Sequence, residues 1–454
     1  MSNVLKIKNA DIIVSCDEND RVYKRCDILI NNSKIVAIGE NLDAEGAEVL
    51  DAKGCYVYPG LINTHHHMLQ AFTRNIPAVQ NSELFDWLMY LYKIWSRVDP
   101  EHVYYSSLVA MGEFIKYGGT TMFDQHFAFP KTTTKELIDR QFDAADELGI
   151  RFHAGRSCFT RGESQGGLPP DVMVESCDET LEDCERLVGK YHDAKMFSMR
   201  QVVIAPCSPF SVDTKVMVES AKLARRLNVR LHTHLCETLD EERYCLEVYG
   251  DRPLKWAEKC GFVGQDVWFA HGIHFTDEEV AFLAETKTGV SHNPVSNMKL
   301  SSGICKVPLM LKLGVPVGLA VDGSGSNDAS NMLADLRIAF LLHRLNSSKE
   351  APTAYEILKL GTAGGARILG RNDIGSLAAG KAADMFLINT DRLDKVGALL
   401  DPISFLCTVG WGNYVDKTII NGKIVFDGKR LLGIDEDAIK QNAQKKVEKI
   451  YSNL

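Results

Sequence analysis

Residues 59–67 read Pro59-Gly60-Leu61-Ile62-Asn63-Thr64-His65-His66-His67, and the pattern of the 454-residue sequence changes here. Before this stretch, short β-prone runs are separated by turns. After it, short apolar runs alternate with longer amphipathic segments. The strand candidates are residues 60–65, 120–124, 151–155, 201–205, 228–234, 267–271, 289–292 and 315–322. Eight strands that alternate with helices predict an α/β fold, the parallel (β/α)8 TIM barrel.

Both ends of the sequence are β-rich and flank the predicted barrel. Short strands return near residue 372, and Asn421-Gly422 between two of them is a strong hairpin signal. The economical interpretation is one small β-sandwich assembled from residues 1–58 and 373–454, with the barrel over residues 59–372. A charged amphipathic helix is predicted over residues 436–450.

Composition and charge exclude several classes of protein. The sequence is 45% hydrophobic and 24% charged, which is ordinary for a soluble protein. Its net charge of −9, without a basic cluster, argues against a nucleic-acid partner. The twelve cysteines form no CxxC pair and indicate free thiols in a reducing compartment. We see neither a signal-peptide pattern nor an apolar run of ~18 residues, so we expect a cytoplasmic protein without a membrane partner.

Two pairs of histidines indicate a metal site. Side chains in a strand alternate between its faces, so His65 and His67 point the same way at the end of the first predicted strand. A surface histidine cluster is the alternative, but the apolar run before the pair disfavours it. His232 and His234 also share a face. Active sites of barrels lie at the C-terminal ends of the strands, so we choose His234 as a ligand and His232 as its packed neighbour.

Three more polar residues fall at or just after predicted strand ends. Glu237 follows His234 by three residues, His271 ends the sixth strand and Asp322 ends the eighth. Alone, Glu237 would be interpreted as a solvated loop carboxylate and Asp322 as part of a turn. If His65, His67, His234 and Asp322 are ligands, three nitrogens and one oxygen suit one divalent metal, Zn²⁺ or Fe²⁺. Such a metal lowers the pKa of bound water toward ~7, and Asp322 and Glu237 could move the protons of a hydrolysis.

At these residues the chain resembles the amidohydrolase superfamily, and the likeness spans nearly the whole sequence. It is carried by residues 59–67, the His234-xx-Glu237 element, His271, Val321-Asp322-Gly323 and residues 375–384. The resemblance implies one metal bound by His65, His67, His234 and Asp322, with Glu237, His271 and Asp322 catalytic. The fourth strand ends Ala205-Pro206-Cys207, without the lysine of two-metal members, which favours the one-metal deaminase branch. Enzymes of this type are often oligomers, so a homo-oligomer is an open expectation.

Within that branch the chain looks most like the 8-oxoguanine deaminase and triazine hydrolase group. The motifs are Met68-Leu69-Gln70, Glu83-Leu84-Phe85-Asp86-Trp87-Leu88, residues 162–170, Pro206-Cys207-Ser208-Pro209-Phe210-Ser211 and residues 323–328. The sequence departs from similar 8-oxoguanine deaminases at Gly272, where they usually carry cysteine.

The resemblance implies hydrolytic deamination of an amino-substituted nitrogen heterocycle by hydroxide from a metal-activated water. We expect an oxo-purine such as 8-oxoguanine as substrate. Asp322 would take the proton of the water, Glu237 would protonate a ring nitrogen and His271 would steady the attacking oxygen. Three alternatives stay open: deamination of isocytosine, guanine or a pterin; loss of chloride or an alkylamine from a triazine; and a non-catalytic barrel that serves as an interaction module.

Four residues are candidates for contact with the substrate: Gln70, Trp87, His126 and Phe210. Gln70 could contact the amide edge of a ring or be an ordinary polar helix residue. The three aromatic rings could wall a flat substrate, although such rings more often serve only in packing. We expect His292 and Asn297 to support the loops near the mouth of the barrel.

Overall fold

The computed structural model describes residues 4–452, so positions 1–3 and 453–454 of the predicted terminal segments lie outside the described residues. The strands are β1 (Val4–Val14), β2 (Val22–Asn31), β3 (Lys34–Gly39), β4 (Glu48–Asp51), β5 (Cys55–Pro59), β6 (Leu61–Asn63), β7 (Gly119–His126), β8 (Arg151–Arg156), β9 (Arg200–Ile204), β10 (Arg230–Leu235), β11 (Val267–His271), β12 (Gly289–His292), β13 (Val317–Leu319), β14 (Met385–Asn389), β15 (Lys417–Ile420) and β16 (Lys423–Phe426).

The α-helices are α1 (Leu84–Trp95), α2 (Pro100–Lys116), α3 (Leu137–Leu148), α4 (Cys177–Tyr191), α5 (Thr214–Leu227), α6 (Leu239–Tyr249), α7 (Pro253–Lys259), α8 (Asp277–Thr286), α9 (Pro294–Lys299), α10 (Val307–Leu313), α11 (Ser324–Asn327), α12 (Met332–Ser347), α13 (Ala354–Lys359), α14 (Gly365–Ile368), α15 (Phe405–Thr408) and α16 (Glu436–Tyr451). A 3-10 turn, Met68–Phe72, follows the histidine run.

Strands β6 to β13 form one parallel sheet in chain order, and helices connect them. The first and last strands meet: the N–H of Thr64 donates to the carbonyl of Leu319 at 3.4 Å, and the N–H of Asp322 donates to the carbonyl of His65 at 3.2 Å. The sheet is therefore a nearly closed barrel of eight parallel strands, and the predicted fold class is confirmed.

Local sequence explains why strands and helices alternate. All eight residues of β7 are buried, as expected for a parallel strand covered on both faces. Helix α8 begins with a capping box, in which the hydroxyl of Thr276 accepts from the N–H of Glu279 and the carboxylate of Glu279 accepts from the N–H of Thr276. Helix α5 begins at the cap Asp213 and ends at Asn228, whose φ of 53° is left-handed. The capping residues therefore mark where each amphipathic helical segment begins and ends.

The remaining strands form a mixed sheet built from both ends of the chain. Its order is β16-β15-β14-β5-β1-β2-β3, with β4 paired to β1. The predicted hairpin is present: Ile420 pairs with Lys423, and Asn421 and Gly422 between them have φ values of 51° and 80°. The small terminal domain is thus confirmed, while boundaries at residues 58 and 372 stay a prediction. Helix α16 forms where the charged amphipathic helix was expected.

All twelve cysteines are buried and unpaired, which fits the expected free thiols. Among residues 4–452, no helix combines the length and the apolar character needed to cross a bilayer.

Candidate metal centre and active site

The predicted ligands converge at the C-terminal ends of the barrel strands. His65 and His67 follow β6, His234 lies near the end of β10, and Asp322 follows β13. The Nε2 atoms of His67 and His234 are 3.1 Å apart. The Oδ1 atom of Asp322 lies 3.3 Å from Nε2 of His65 and 3.6 Å from Nε2 of His67. Four buried side chains therefore direct one atom each to a common point.

Hydrogen bonds on the outer side of two imidazoles fix which nitrogen faces this point. The Nδ1 atom of His67 lies 2.8 Å from the carbonyl of Gln125, and that of His234 lies 2.7 Å from the carbonyl of Cys207. A carbonyl can only accept, so each Nδ1 carries the proton and each Nε2 presents a bare lone pair.

His65 is oriented through a second histidine. Nδ1 of His232 lies 2.9 Å from the carbonyl of Trp268 and therefore donates to it, which leaves its Nε2 as an acceptor. That Nε2 is 2.9 Å from Nδ1 of His65. His65 accordingly donates from Nδ1, and its own Nε2 also faces the common point without a proton. His232 lies where the sequence placed it, beside the predicted ligands.

The donor set fits a divalent cation. Ligand atoms about 2.1 Å from a tetrahedral zinc lie about 3.4 Å from one another, close to the separations of 3.1–3.6 Å here. Nε2 of His65 is buried and has no hydrogen-bond partner in the described chain. Burial lowers the pKa of all three imidazoles, which favours their neutral forms. Three bare lone pairs facing one another beside a carboxylate are satisfied by a metal ion and by little else.

Asp322 is held as an anion. Burial would raise the pKa of its carboxyl, but hydrogen bonds donated to both of its oxygens stabilise the ionised form. The hydroxyl of Ser296 donates to Oδ2 at 2.5 Å, and the N–H of Gly323 donates to Oδ1 at 2.6 Å.

Glu237 lies on the same side of the cavity, where burial favours its protonated form. Burial raises the pKa of its carboxyl well above the usual value, and the charges of Asp322 and Glu241 add to this. Its Oε2 lies 3.5 Å from Nε2 of His271, and its Oε1 accepts from the hydroxyl of Ser302 at 3.4 Å. The carboxylate of Glu241 accepts from the backbone N–H of Cys236 at 2.7 Å and of Glu237 at 3.0 Å, which fixes the loop that carries Glu237.

His271 has the opposite tautomer to the three imidazoles at the metal point. Its Nδ1 accepts from the side-chain amides of Asn297 at 2.9 Å and Asn293 at 3.2 Å. The amide of Asn293 is oriented by Ser291, whose hydroxyl donates to its oxygen at 3.2 Å. His271 therefore carries its proton on Nε2, toward Glu237. It can donate a hydrogen bond into the site, although His65, His271 and Asp322 could by proximity also hold a metal.

Backbone strain is concentrated in these residues. Cys236, His271 and Asp322 have φ values of 54°, 73° and 64°, in the left-handed region that side chains other than glycine rarely adopt. Each such residue costs on the order of 1–3 kcal/mol and persists only where its surroundings impose it. All three lie at the ends of strands β10, β11 and β13, where the site is assembled.

A cavity of about 40 Å³ adjoins the metal point. Gln70, Trp87 and Phe210 line it together with Glu237 and His271, as the sequence suggested. His126 does not reach it: its Nε2 lies 3.0 Å from the carbonyl of Ala128, and its ring packs against Phe129.

The sequence missed most of the apolar wall of this cavity. The unforeseen lining residues include Leu84, Leu88, Tyr92, Phe127, Phe159 and Leu300. Leu84 and Leu88 lie at helical spacing beside Trp87 on α1, which is a signal that could have found them. Phe127 and Phe159 follow two different strands, and nothing local marks them as neighbours.

Comparison with known proteins gives one consistent result. The model of the amidohydrolase family matches residues 56–425. Hydroxydechloroatrazine ethylaminohydrolase of Pseudomonas sp. (strain ADP) is 43% identical over 93% of this chain and 91% of that protein. The 8-oxoguanine deaminase of Pseudomonas aeruginosa is 42% identical over 87% of this chain and 88% of that protein. The crystal structure of atrazine chlorohydrolase from Arthrobacter aurescens TC1 complexed with zinc superposes with a TM-score of 0.94 at 31% identity, covering 98% of this chain and 100% of that chain.

Proposed function

The chain belongs to the amidohydrolase family, and we propose that within it the protein hydrolytically deaminates an oxo-purine such as 8-oxoguanine. It is a hydrolase that acts on carbon–nitrogen bonds other than peptide bonds. The similarity to an 8-oxoguanine deaminase over most of both chains supports the proposed substrate class.

The observation that carries the substrate proposal is a pair of hydrogen-bond donors on the cavity wall. The indole N–H of Trp87 is buried and has no acceptor among the described residues. The oxygen of Gln70 already accepts from the N–H of Gly325 at 3.1 Å, which leaves its amide nitrogen as a donor. A buried donor without an acceptor is costly. The carbonyl oxygens and ring nitrogens of an oxo-purine would satisfy both groups.

The size of the cavity also supports a compact, flat substrate. Ligand cavities are usually about 300–1,000 Å³, far above the 40 Å³ found here. Some wall residues must therefore move to admit any ring. A planar base between aromatic walls requires less movement than a triazine with alkylamino arms.

In the proposed metal site, His65, His67, His234 and Asp322 hold one divalent ion. We propose zinc, because the similar atrazine chlorohydrolase contains it and the donor set suits it, with Fe²⁺ as the alternative. When bound, such an ion acidifies water and so supplies a nucleophile at neutral pH.

Three residues would move or hold the protons. Asp322, an anion, is placed to accept the proton of the attacking water. Glu237, whose raised pKa favours the protonated form, would donate to a ring nitrogen and make the adjacent carbon electrophilic. His271 would donate from Nε2 to the attacking oxygen and orient it.

A second candidate is hydrolytic removal of an alkylamine from a triazine. The 43% identity to the ethylaminohydrolase of Pseudomonas sp. supports it as directly as the 42% identity supports 8-oxoguanine. Both reactions need the same donors and acceptors and differ only in the leaving group.

The deciding experiment identifies that leaving group. Purified, zinc-loaded protein is incubated with 8-oxoguanine, guanine, isocytosine, isoxanthopterin and N-ethylamino-hydroxytriazine, and the release of ammonia and ethylamine is measured. Ammonia from 8-oxoguanine with the highest kcat/KM supports the proposal. Ethylamine as the main product would replace it with the second candidate.

The variant Glu237→Gln tests the role of Glu237 as the proton donor. It keeps the size of the side chain but cannot give up a proton as a carboxylic acid does. We expect zinc content to be unchanged and kcat to fall by about 100-fold or more. Unchanged turnover would exclude Glu237 as the proton donor.

A further inference from the structure

A second cavity, of about 540 Å³, opens at the opposite end of the barrel from the metal point. Its lining includes residues at the starts of five successive strands, β9 to β13: Gln201, Arg230, Asp266, Gly289 and Pro316. All barrel strands run in the same direction, so the strand starts lie at one end of the barrel. The proposed metal ligands follow the strand ends and lie at the other end. This basal cavity is therefore separate from the candidate active site.

The lining of the basal cavity is cationic although the chain as a whole has a net charge of −9. Its basic side chains are Lys195, Arg230, Lys287, Arg367 and Arg371. Its two carboxylates are already engaged: Asp373 contacts Arg371 at 2.8 Å, and Asp266 contacts Arg225 at 3.0 Å.

The other four cations have no carboxylate within 4.0 Å in the part of the chain that the structure describes. Most arginines elsewhere on this acidic chain have such a partner. Lys195, Lys287 and Arg367 are exposed around the opening of the basal cavity.

Arg230 is held in place without a salt bridge: its guanidinium carbon lies 5.8 Å from the ring centre of Trp268, and the charge of Asp266 compensates it only partly. Its Nη2 donates to the carbonyl of Gln265 at 2.8 Å, while its Nε is buried and lacks a hydrogen-bond partner. A Cβ at Gly370 would lie 2.7 Å from Nη1, so the absence of a side chain there makes room for the guanidinium. Burial lowers the pKa of Arg230 to about 10. The side chain is half-buried, and a cation that has no salt bridge and one buried, unbonded nitrogen is stabilised when an anion joins it.

We propose that the basal cavity binds a small phosphate-bearing anion, with Arg230 at its centre and Lys195, Lys287 and Arg367 at its opening. Guanidinium groups pair with phosphate oxygens in fixed geometry, and lysines add mobile charge. The volume is within the usual range for small-ligand cavities, about 300–1,000 Å³. Apolar side chains of Val203, Val229 and Ile368 also line the cavity and offer a surface to an organic group on the phosphate.

Isothermal titration calorimetry on the zinc-loaded protein tests this, with inorganic pyrophosphate and a nucleoside diphosphate as probes at constant ionic strength in chloride. We expect both to bind. Equal affinities would assign the cavity to free phosphates, and tighter binding of the nucleoside diphosphate would assign it to organic phosphates. Absence of binding by both probes would overturn the proposal.

Variants show where the probe binds. Lys287→Gln and Arg367→Gln change exposed residues and should leave folding intact, and each should weaken pyrophosphate binding by about tenfold. Lys312→Gln is the matched control, because Lys312 is an exposed lysine on α10 outside the cavity lining. Equal affinity in all three variants would mean that pyrophosphate binds elsewhere, for example at the metal, and would overturn the proposal.

Discussion

At the scale of single residues, His232 shows how a buried side chain can act through its neighbour. It accepts the only hydrogen bond from Nδ1 of His65 among the described residues, and its own Nδ1–H donates to the carbonyl of Trp268. It therefore sets the direction in which the lone pair of His65 points. Outer hydrogen bonds of this kind typically contribute 10–100-fold to metal affinity.

His232→Leu should therefore weaken zinc binding by about 10–100-fold, because Nδ1 of His65 loses its acceptor. Competition with a chromogenic chelator measures the Kd. His102→Leu is the control: His102 is equally buried and bonds to the carbonyl of Leu69, but contacts no proposed ligand. A His232→Leu variant that binds zinc like the parent would contradict this role.

Asp335 gives a prediction for the dependence of stability on pH. Burial raises the pKa of this carboxyl from 3.8 to about 8. Between about pH 4 and pH 8 the folded state keeps the proton and the unfolded state loses it, so stability falls by up to about 1.4 kcal/mol per pH unit.

Asp335→Asn removes this titration while keeping an oxygen for the amide of Asn327, which donates to Asp335 at 3.1 Å. The free energy of unfolding of the variant, minus that of the parent, should rise with pH up to about 8 and then stay constant. Denaturant titrations at pH 6, 7, 8 and 9 measure it. A difference that is independent of pH would show that the carboxyl ionises normally.

Individual residues also show what the sequence could and could not reveal. Histidines and acids at strand ends were predictable, because parallel strands bring their C-terminal ends together. His126 was placed wrongly in the cavity. In β7, alternate residues share a face: Gln125 points into the barrel and donates to the carbonyl of Ala205, whereas Asp124 and His126 point away.

At the scale of elements, the short helix α9 and the residue before it organise two sides of the site. Asn293 and Asn297 donate to His271, and Ser296 donates to Asp322. One helical turn after β12 thus sets the tautomer of His271 and the orientation of Asp322. Asn297 was expected only to support nearby loops.

Asn297→Asp should favour the other tautomer of His271, because a carboxylate would accept where the nearer of the two amides donated, at 2.9 Å against 3.2 Å for Asn293. Nδ1 would then carry the proton, and Nε2 would no longer donate into the site. A wrong histidine tautomer can cost up to about 10⁴-fold in kcat, and we expect a loss of at least ~100-fold on that basis. Steady-state kinetics should show the loss in kcat, with KM little changed.

Asn297→Ala is the comparison variant, since it removes one donor without placing an acceptor at Nδ1 and leaves Asn293 to donate there. It should keep clearly more activity than Asn297→Asp at equal zinc content. Equal activities in the two variants would exclude control through the tautomer.

Strand boundaries were predicted less well than strand identities. Residues 267–271 and 289–292 agree with β11 and β12, but the predicted strand 315–322 is reduced to β13, Val317–Leu319. Beyond Leu319 the chain leaves the ladder: the N–H of Val321 donates to the side chain of Asn63 at 3.0 Å, and Asp322 turns through a positive φ. Tertiary contacts of this kind leave no trace in local periodicity.

At the scale of the whole molecule, the barrel and the terminal domain were predictable because strand–helix alternation and the hairpin at Asn421-Gly422 are local signals. The basal cavity was not, because its cations come from a strand, a helix and loops that are far apart in sequence. The cytoplasmic location and a homo-oligomer stay predictions.

Removing the metal should lower the stability of the entire barrel. Three bare imidazole nitrogens and the Asp322 carboxylate would then face one another without a cation. A metal ion that binds only the folded state stabilises that state by about 2.7 kcal/mol when its free concentration is 100 times its Kd. Scanning calorimetry before and after dialysis against a chelator should show a lower Tm, restored by added zinc. A Tm unaffected by the chelator would mean that the folded chain does not depend on a bound ion.

The closure of the barrel between β6 and β13 has a topological consequence. His65 and His67 follow the first strand of the barrel and Asp322 follows the last, so one shared ion would cross-link the two ends of the sheet. A cross-link between distant chain positions restricts the unfolded ensemble most when the loop it closes is long. Without the ion, the barrel would open first between β6 and β13. Hydrogen exchange of the backbone amides of Thr64 and Asp322 should therefore become faster before exchange in β9 does.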